Sequence, residues 1–346
     1  MKRIFAFAVG ALLVLMTACS DVLQTEKLGG IHTDGGDVYP EKVATLDGEA
    51  VSFDEFRYYY LNYRDLYLSK DKNAFSDPAA EERLKEEVLD NLLSNRAVRL
   101  LAGERGISLS PEEKKAAKAE IEETVALYGK DELIEKLHAS YMSQQLYRET
   151  ASFTKLYQKL YDSFYGENGT DSYSDGEFLA YYRENYLAVQ EIYLPYARGE
   201  KAGDCPGTLA KAQTVLAAYN EGADFMDLME EYGEDPGMEL EPDGYYITEG
   251  EAEDVLYQAG AALAENELSQ PVEAAAGVYI LRRVPIKDEK ALKRKADVLE
   301  GYEDGAGNRH SGVYEDLFLA LLREKGKTIS VVKEPVWEEI SSDTVF

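Results

Sequence analysis

The sequence predicts an α+β protein, and three observations carry that class. Helix-start signals recur in the first half, at Ser52 with Glu55, at Asp77-Pro78 and at Ser110-Pro111-Glu112-Glu113. A central stretch, Val189 to Val284, alternates short apolar, strand-like runs with helical segments. The chain closes on a helical pattern, Val313 to Glu324, and a β-branched run, Thr328 to Val332. With 346 residues there is room for two or three domains, and 45% hydrophobic with 30% charged residues is the composition of a globular chain. The formal net charge of -29 repels nucleic acid phosphates and argues against nucleic acid as a partner.

Met1-Lys2-Arg3 is a basic start, and Ile4 to Ala18 is apolar but too short to span a bilayer as a helix, so residues 1–18 read as a signal peptide. They end in Leu15-Met16-Thr17-Ala18-Cys19, which resembles a bacterial lipobox. That resemblance implies a lipid on Cys19 and an extracytoplasmic, membrane-anchored protein. A plain secretory signal cut near Ala18 is the other reading. Residues 19–40, with Gly29-Gly30 and Gly35-Gly36, read as a flexible tether. With Cys19 lipidated, Cys205 has no disulfide partner; its setting, Gly203-Asp204-Cys205-Pro206-Gly207, is a loop composition and the thiol reads as incidental.

Val43 to Leu46 is a strand signal, and Asp47-Gly48 a turn. The helix after Ser52 carries Phe53, Phe56, Tyr60, Tyr63 and Tyr67 on one stripe. The next, after Pro78, carries Leu84, Val88, Leu92 and Leu101, and Gly106 stops it. The helix after Ser110 ends at Gly129; a short one follows from Asp131, then a longer one from about Tyr141 to Tyr165. Gly166 to Ser174 is a linker, and Ser174 with Glu177 starts a helix that ends at Tyr186. Past Val284, Lys287 to Tyr302 has a helical pattern and Gly301 to Gly312 a turn composition. Residues 41–186 thus read as a helical domain, 187–286 as a separate α/β domain, and 287–346 as a C-terminal helix and strand.

The central order is strand, helices, strand, helix, two strands. It opens on Val189-Gln190-Glu191-Ile192-Tyr193-Leu194, passes Tyr232-Gly233-Glu234-Asp235-Pro236, and closes on Gly277-Val278-Tyr279-Ile280-Leu281. This resembles the parvulin-type peptidyl-prolyl isomerase domain. Val43 to Glu49 followed by Ser52-Phe53-Asp54-Glu55-Phe56 resembles the start of a SurA/PrsA N-terminal domain. The two resemblances imply an extracytoplasmic foldase whose C-terminal segment returns to complete the helical lobe, with the parvulin-like domain inserted. They also imply unfolded or partly folded secreted polypeptides as partners. Thr328–Val332 and Val43–Leu46 are two lone strand signals, each in need of a partner, and are expected to pair with one another.

Catalysed X-Pro rotation needs an apolar grip on the proline ring and groups that favour the twisted amide. Parvulins use two facing histidines, an acidic or Cys residue, a hydroxyl residue and a Met/Phe pocket. Carried onto this chain, the histidines fall on Glu191 and Tyr279, the hydroxyl on Ala276 and the acid on Asp235. The pocket falls on Ala252 and Leu256, and Tyr245 and Tyr246 are further candidates for peptide contact. The resemblance therefore implies a vestigial or weak isomerase on a chaperone. An active prolyl isomerase and a solute- or glycan-binding lipoprotein are the alternatives. By its own residue type and setting Asp235 reads first as a turn residue before Pro236. No spacing of His, Cys or acidic residues marks a metal site, and no cofactor motif is present. Of the 26 tyrosines, Tyr58, Tyr59, Tyr147, Tyr157, Tyr161 and Tyr165, with Phe153 and Phe164, read mostly as helix packing, with a minority lining a client cradle.

Overall fold

A computed structural model describes Glu26 and residues 28–346; the expected signal peptide, residues 1–18, and the expected lipidation site Cys19 lie outside the described residues. Two hairpins come first, β1 (Ile31–Thr33) with β2 (Gly36–Val38), and β3 (Lys42–Leu46) with β4 (Glu49–Ser52). Helices α1 (Phe53–Lys70), α2 (Pro78–Glu104), α3 (Pro111–Tyr128), α4 (Lys130–Ala139) and α5 (Gln144–Tyr165) follow. The central part contains α6 (Asp175–Asn185), β5 (Tyr186–Pro195), α7 (Pro206–Asn220), α8 (Phe225–Tyr232), α9 (Pro236–Leu240) and β6 (Tyr245–Thr248). It continues through α10 (Asp254–Ala261), β7 (Val272–Glu273), β8 (Gly277–Val284), α11 (Asp288–Lys293) and α12 (Lys295–Glu300). The chain ends on β9 (Gly301–Glu303), β10 (Arg309–Ser311), α13 (Val313–Gly326), β11 (Val331–Lys333) and a 3₁₀ turn, Pro335–Glu339. Helical lobe and small antiparallel sheets together make the α+β class.

The chain divides into two compact units: Met1–Ser172 with Leu299–Phe346, and Tyr173–Val298. The boundaries differ from 186/187 and 286/287 because α6 and α11 pack within the second unit. Tyr182 of α6 stacks on Tyr186 of β5 at 4.1 Å, and Arg294 donates to the Tyr182 hydroxyl at 2.9 Å.

In the first unit the far end of the chain completes the near end. β11 adds to β3 antiparallel, Val331 opposite Leu46 and Lys333 opposite Ala44, giving the sheet order β11-β3-β4. Asp47 and Gly48 turn the β3–β4 hairpin at φ 48° and 81°, the two left-handed positions that a tight hairpin requires. The core beneath joins Phe56, Tyr60, Leu84 and Val88 to Phe318 and Trp337, all essentially buried. Trp337 meets Phe56 edge-on at 5.2 Å. Local signals set the helix starts: Ser52, Asp77, Ser110 and Ser143 each accept a backbone N–H of the first turn.

Three expectations give way. Residues 31–38 are not part of a flexible tether: they form β1–β2, Ile31 is fully buried, and His32 N–H donates to Thr344 O at 2.8 Å. Gly29 and Gly30 permit it, because a Cβ on either would collide with the Phe346 carbonyl or the Val38 carbonyl. Gly301–Gly312 is the hairpin β9–β10, with Asp304 gathering the N–H groups of Ala306 and Asn308 at its tip. The long helix starts at Gln144 because Tyr141, at φ 60°, and Ser143 make the turn and cap before it.

Phe318 joins α13 to the helical core, so Phe318→Ala is expected to destabilise the first unit by about 3–5 kcal/mol. Trp337 is the chain's single tryptophan and lies in that unit, so its emission during urea unfolding isolates the effect. An unchanged emission midpoint would contradict the assignment.

Candidate functional site

The second unit is built on a four-stranded antiparallel sheet of order β6-β5-β8-β7. β5 is central, and alternation divides its side chains between two faces. Ile192 and Leu194, with Val278 and Ile280 of β8, face α7 and α8 and form an apolar cluster with Val215, Phe225 and Leu228. Glu191 and Tyr193, with Tyr279 and Leu281, face the other way. There Leu256 and Ala259 of α10 pack against Tyr279, Leu281 and Ala274. Gly260 lets α10 sit close, since a Cβ there would stand 3.2 Å from Val189 Cγ1.

The register brings the expected residues together. Tyr193 lies opposite Tyr279 and Glu191 opposite Leu281, so Glu191 and Tyr279 are diagonal neighbours on one face. Asp235 arrives from the α8–α9 turn, where Glu234 N–H donates to Tyr193 O at 2.9 Å. Asp235 caps α9 through Gly237 N–H at 3.0 Å, and its other carboxylate oxygen accepts the Tyr245 hydroxyl at 2.6 Å. One residue thus caps the turn and reaches the Tyr245 hydroxyl.

Burial, and then the nearby Asp235 charge, push the Glu191 carboxyl up to about 7. Burial first and Glu191 second push the Tyr279 phenol up to about 12. Burial and the bond to Asp235 raise Tyr245 as well. The result is a half-buried carboxyl near neutrality among phenols, able to donate a hydrogen bond when protonated and only to accept one when ionised. The imidazoles are elsewhere: His32, His138 and His310 all belong to the first unit.

The remaining candidates separate. Ala276 is exposed and contributes only its carbonyl, which accepts the Tyr193 hydroxyl at 3.2 Å. Ala252 lies in the loop before α10, outside the apolar cluster that includes Leu256. Tyr245 faces the Glu191 side, whereas Tyr246 pairs with Ala188 and points to the opposite one. Tyr246 is buried, accepts Lys287 N–H at 2.7 Å and lies 5.9 Å from the Tyr182 ring, so it is a packing residue away from the site. Tyr193 was missed by the sequence reading: its ring lies 4.9 Å from Tyr279, and its position two residues after Glu191 is the signal that would have found it. Cys205 is buried and donates to Glu273 at 3.3 Å; burial and that carboxylate push its thiol up to about 11, which keeps it protonated and unreactive. Among the described residues no group of three or more His, Cys, Asp or Glu could hold a metal ion.

Glu191 ties stability to pH. Its folded-state value lies above its ordinary 4.5, so its contribution is complete below about pH 4.5 and is lost as pH rises through 7. Glu191→Gln is expected to remove a loss on the order of 2 kcal/mol between pH 5 and pH 8. Urea unfolding followed by far-UV circular dichroism at both pH values checks it; identical pH dependence in parent and variant would contradict the burial of this carboxyl.

The second unit has the order of elements expected of a parvulin-type domain: strand, helices, strand, helix, two strands. No curated protein matches the chain. Among solved structures, it is similar to the peptidylprolyl isomerase PrsA from Bacillus cereus, with 17% identity and a TM-score of 0.31 over 71% of this chain and 78% of that one. PrsA from Bacillus subtilis is 17% identical with a TM-score of 0.27, over 88% of this chain and 92% of that one. The parvulin domain of PpiD from E. coli is 20% identical with a TM-score of 0.23, over 30% of this chain and 89% of that one. The family model of the SurA-like N-terminal domain matches residues 2–160.

Proposed function

We propose that the protein is a membrane-anchored extracytoplasmic foldase that holds unfolded or partly folded secreted chains, with a parvulin-like unit that is silent or weak as an isomerase. The observation that carries this reading is the placement of Glu191 and Tyr279 as diagonal neighbours on one face, at the positions where a parvulin presents two imidazoles. A carboxyl that ionises near pH 7 can, once ionised, only accept hydrogen bonds, so it cannot donate one to the peptide as a protonated imidazole does. The Tyr279 ring fills space beside it. What remains is an amphipathic face of tyrosines that suits weak peptide contact. The lipid on Cys19 supplies the anchor in this reading, and the helical lobe supplies the main client surface.

A second reading, an active prolyl isomerase, draws on the Tyr245–Asp235 hydrogen bond, an acid and a phenol coupled beside the site. Protease-coupled proline isomerisation by the full chain, run beside aggregation suppression on an unfolded client, separates the two. The foldase reading expects no rate above the uncatalysed background and suppressed aggregation. A rate enhancement that Asp235→Ala abolishes would replace it with the enzyme.

A further inference from the structure

In the first unit α5 carries Tyr157, Tyr161 and Tyr165 at four-residue spacing, so the rings form one row along the helix. The row rests on Phe318, whose fully buried ring meets them nearly edge-on at 5.1, 5.3 and 6.3 Å. Tyr165 is stacked on Tyr314 at 4.8 Å as well. Packing fixes one side of each ring. The three remain only half-buried, because they also line a groove of about 560 Å³. That is the volume of an ordinary ligand site.

The groove is acidic. Asp162 and Glu167 border it from α5 and the residues after it, and Glu300 and Glu315 from the ends of α12 and α13. Arg309 also lines it and pairs with Glu315 at 2.9 Å; Gln158 donates to Asp162 at 2.8 Å. The field of these carboxylates reaches the rings: after burial, Glu315 and Glu300 are what push the Tyr161 hydroxyl up to about 12. Four carboxylates against one guanidinium leave negative charge around exposed aromatic area.

We infer that this groove docks an extended polypeptide segment carrying Lys or Arg beside an apolar residue. The ring faces attract a cationic head, the aliphatic stem of Lys or Arg and the apolar neighbour cover aromatic area, and the carboxylates select the sign of charge. An acidic segment meets net repulsion from the four carboxylates. The inference rests on the foldase reading for the origin of the segment, an unfolded client chain, and on the groove alone for its chemistry.

The test uses the full chain and two fluorescently labelled peptides, one alternating Lys with Phe and one alternating Glu with Phe. Anisotropy titration is expected to show at least tenfold tighter binding of the Lys peptide, weakened as salt rises. Glu167→Lys with Glu300→Lys, both at exposed positions, is expected to weaken it at least tenfold while Trp337 emission and circular dichroism stay those of the parent. Equal binding of the two peptides, or a double variant that binds the Lys peptide as the parent does, overturns the inference. A double variant that loses the peptide yet suppresses client aggregation fully overturns it as a client dock. Intact groove binding without any aggregation suppression overturns the foldase reading and leaves the groove standing.

Discussion

The first unit depends on one closure: β3 is completed by a strand from the other end of the chain. The Asp47 carboxylate accepts both the N–H and the hydroxyl of Ser330, at 2.8 and 2.9 Å, 283 residues away, and Asp47 N–H returns a bond to Ser330 O. Glu334 N–H donates to Val43 O just beyond. The closure carries Trp337 onto Phe56, sets α13 against α2 and brings the last residues back to β1. Chain entropy lost on closing a loop grows only logarithmically with its length, so a whole unit between the paired strands adds little to that loss.

Much of this was legible because the signals are local. Caps at Ser52, Asp77, Ser110 and Ser174 follow from one hydroxyl or carboxylate and the N–H groups within its reach. The β3–β11 pairing was legible as two lone strand signals, each in need of a partner. The β1–β2 hairpin was not. Its glycines look like those of a spacer, and Ile31 is buried in a core to which the far end of the chain contributes, Val345 bridging to it.

The placement of Glu191 and Tyr279 was legible by parity, and their surroundings were illegible where tertiary structure intervened. Glu191 and Tyr279 lie on one face because strands alternate and the two positions fall in register. Tyr245 and Tyr246 look interchangeable in sequence, yet one step along β6 sends the first to Asp235 and the second to Lys287. Nor does any local pattern foretell the raised Glu191 carboxyl, which needs α10 above it and Asp235 brought in from another turn.

The second unit starts and finishes at nearly one point. Asp175 at the start of α6 forms an ion pair with Lys295 at 2.7 Å, and Tyr182 of the same helix takes the Arg294 guanidinium. A module whose two ends meet can be exchanged, trimmed or altered in sequence without opening the fold that hosts it. Glu191 and Tyr279 both lie within that module, between its two ends. Substitution within such a module leaves the β3–β11 closure of the host unit untouched.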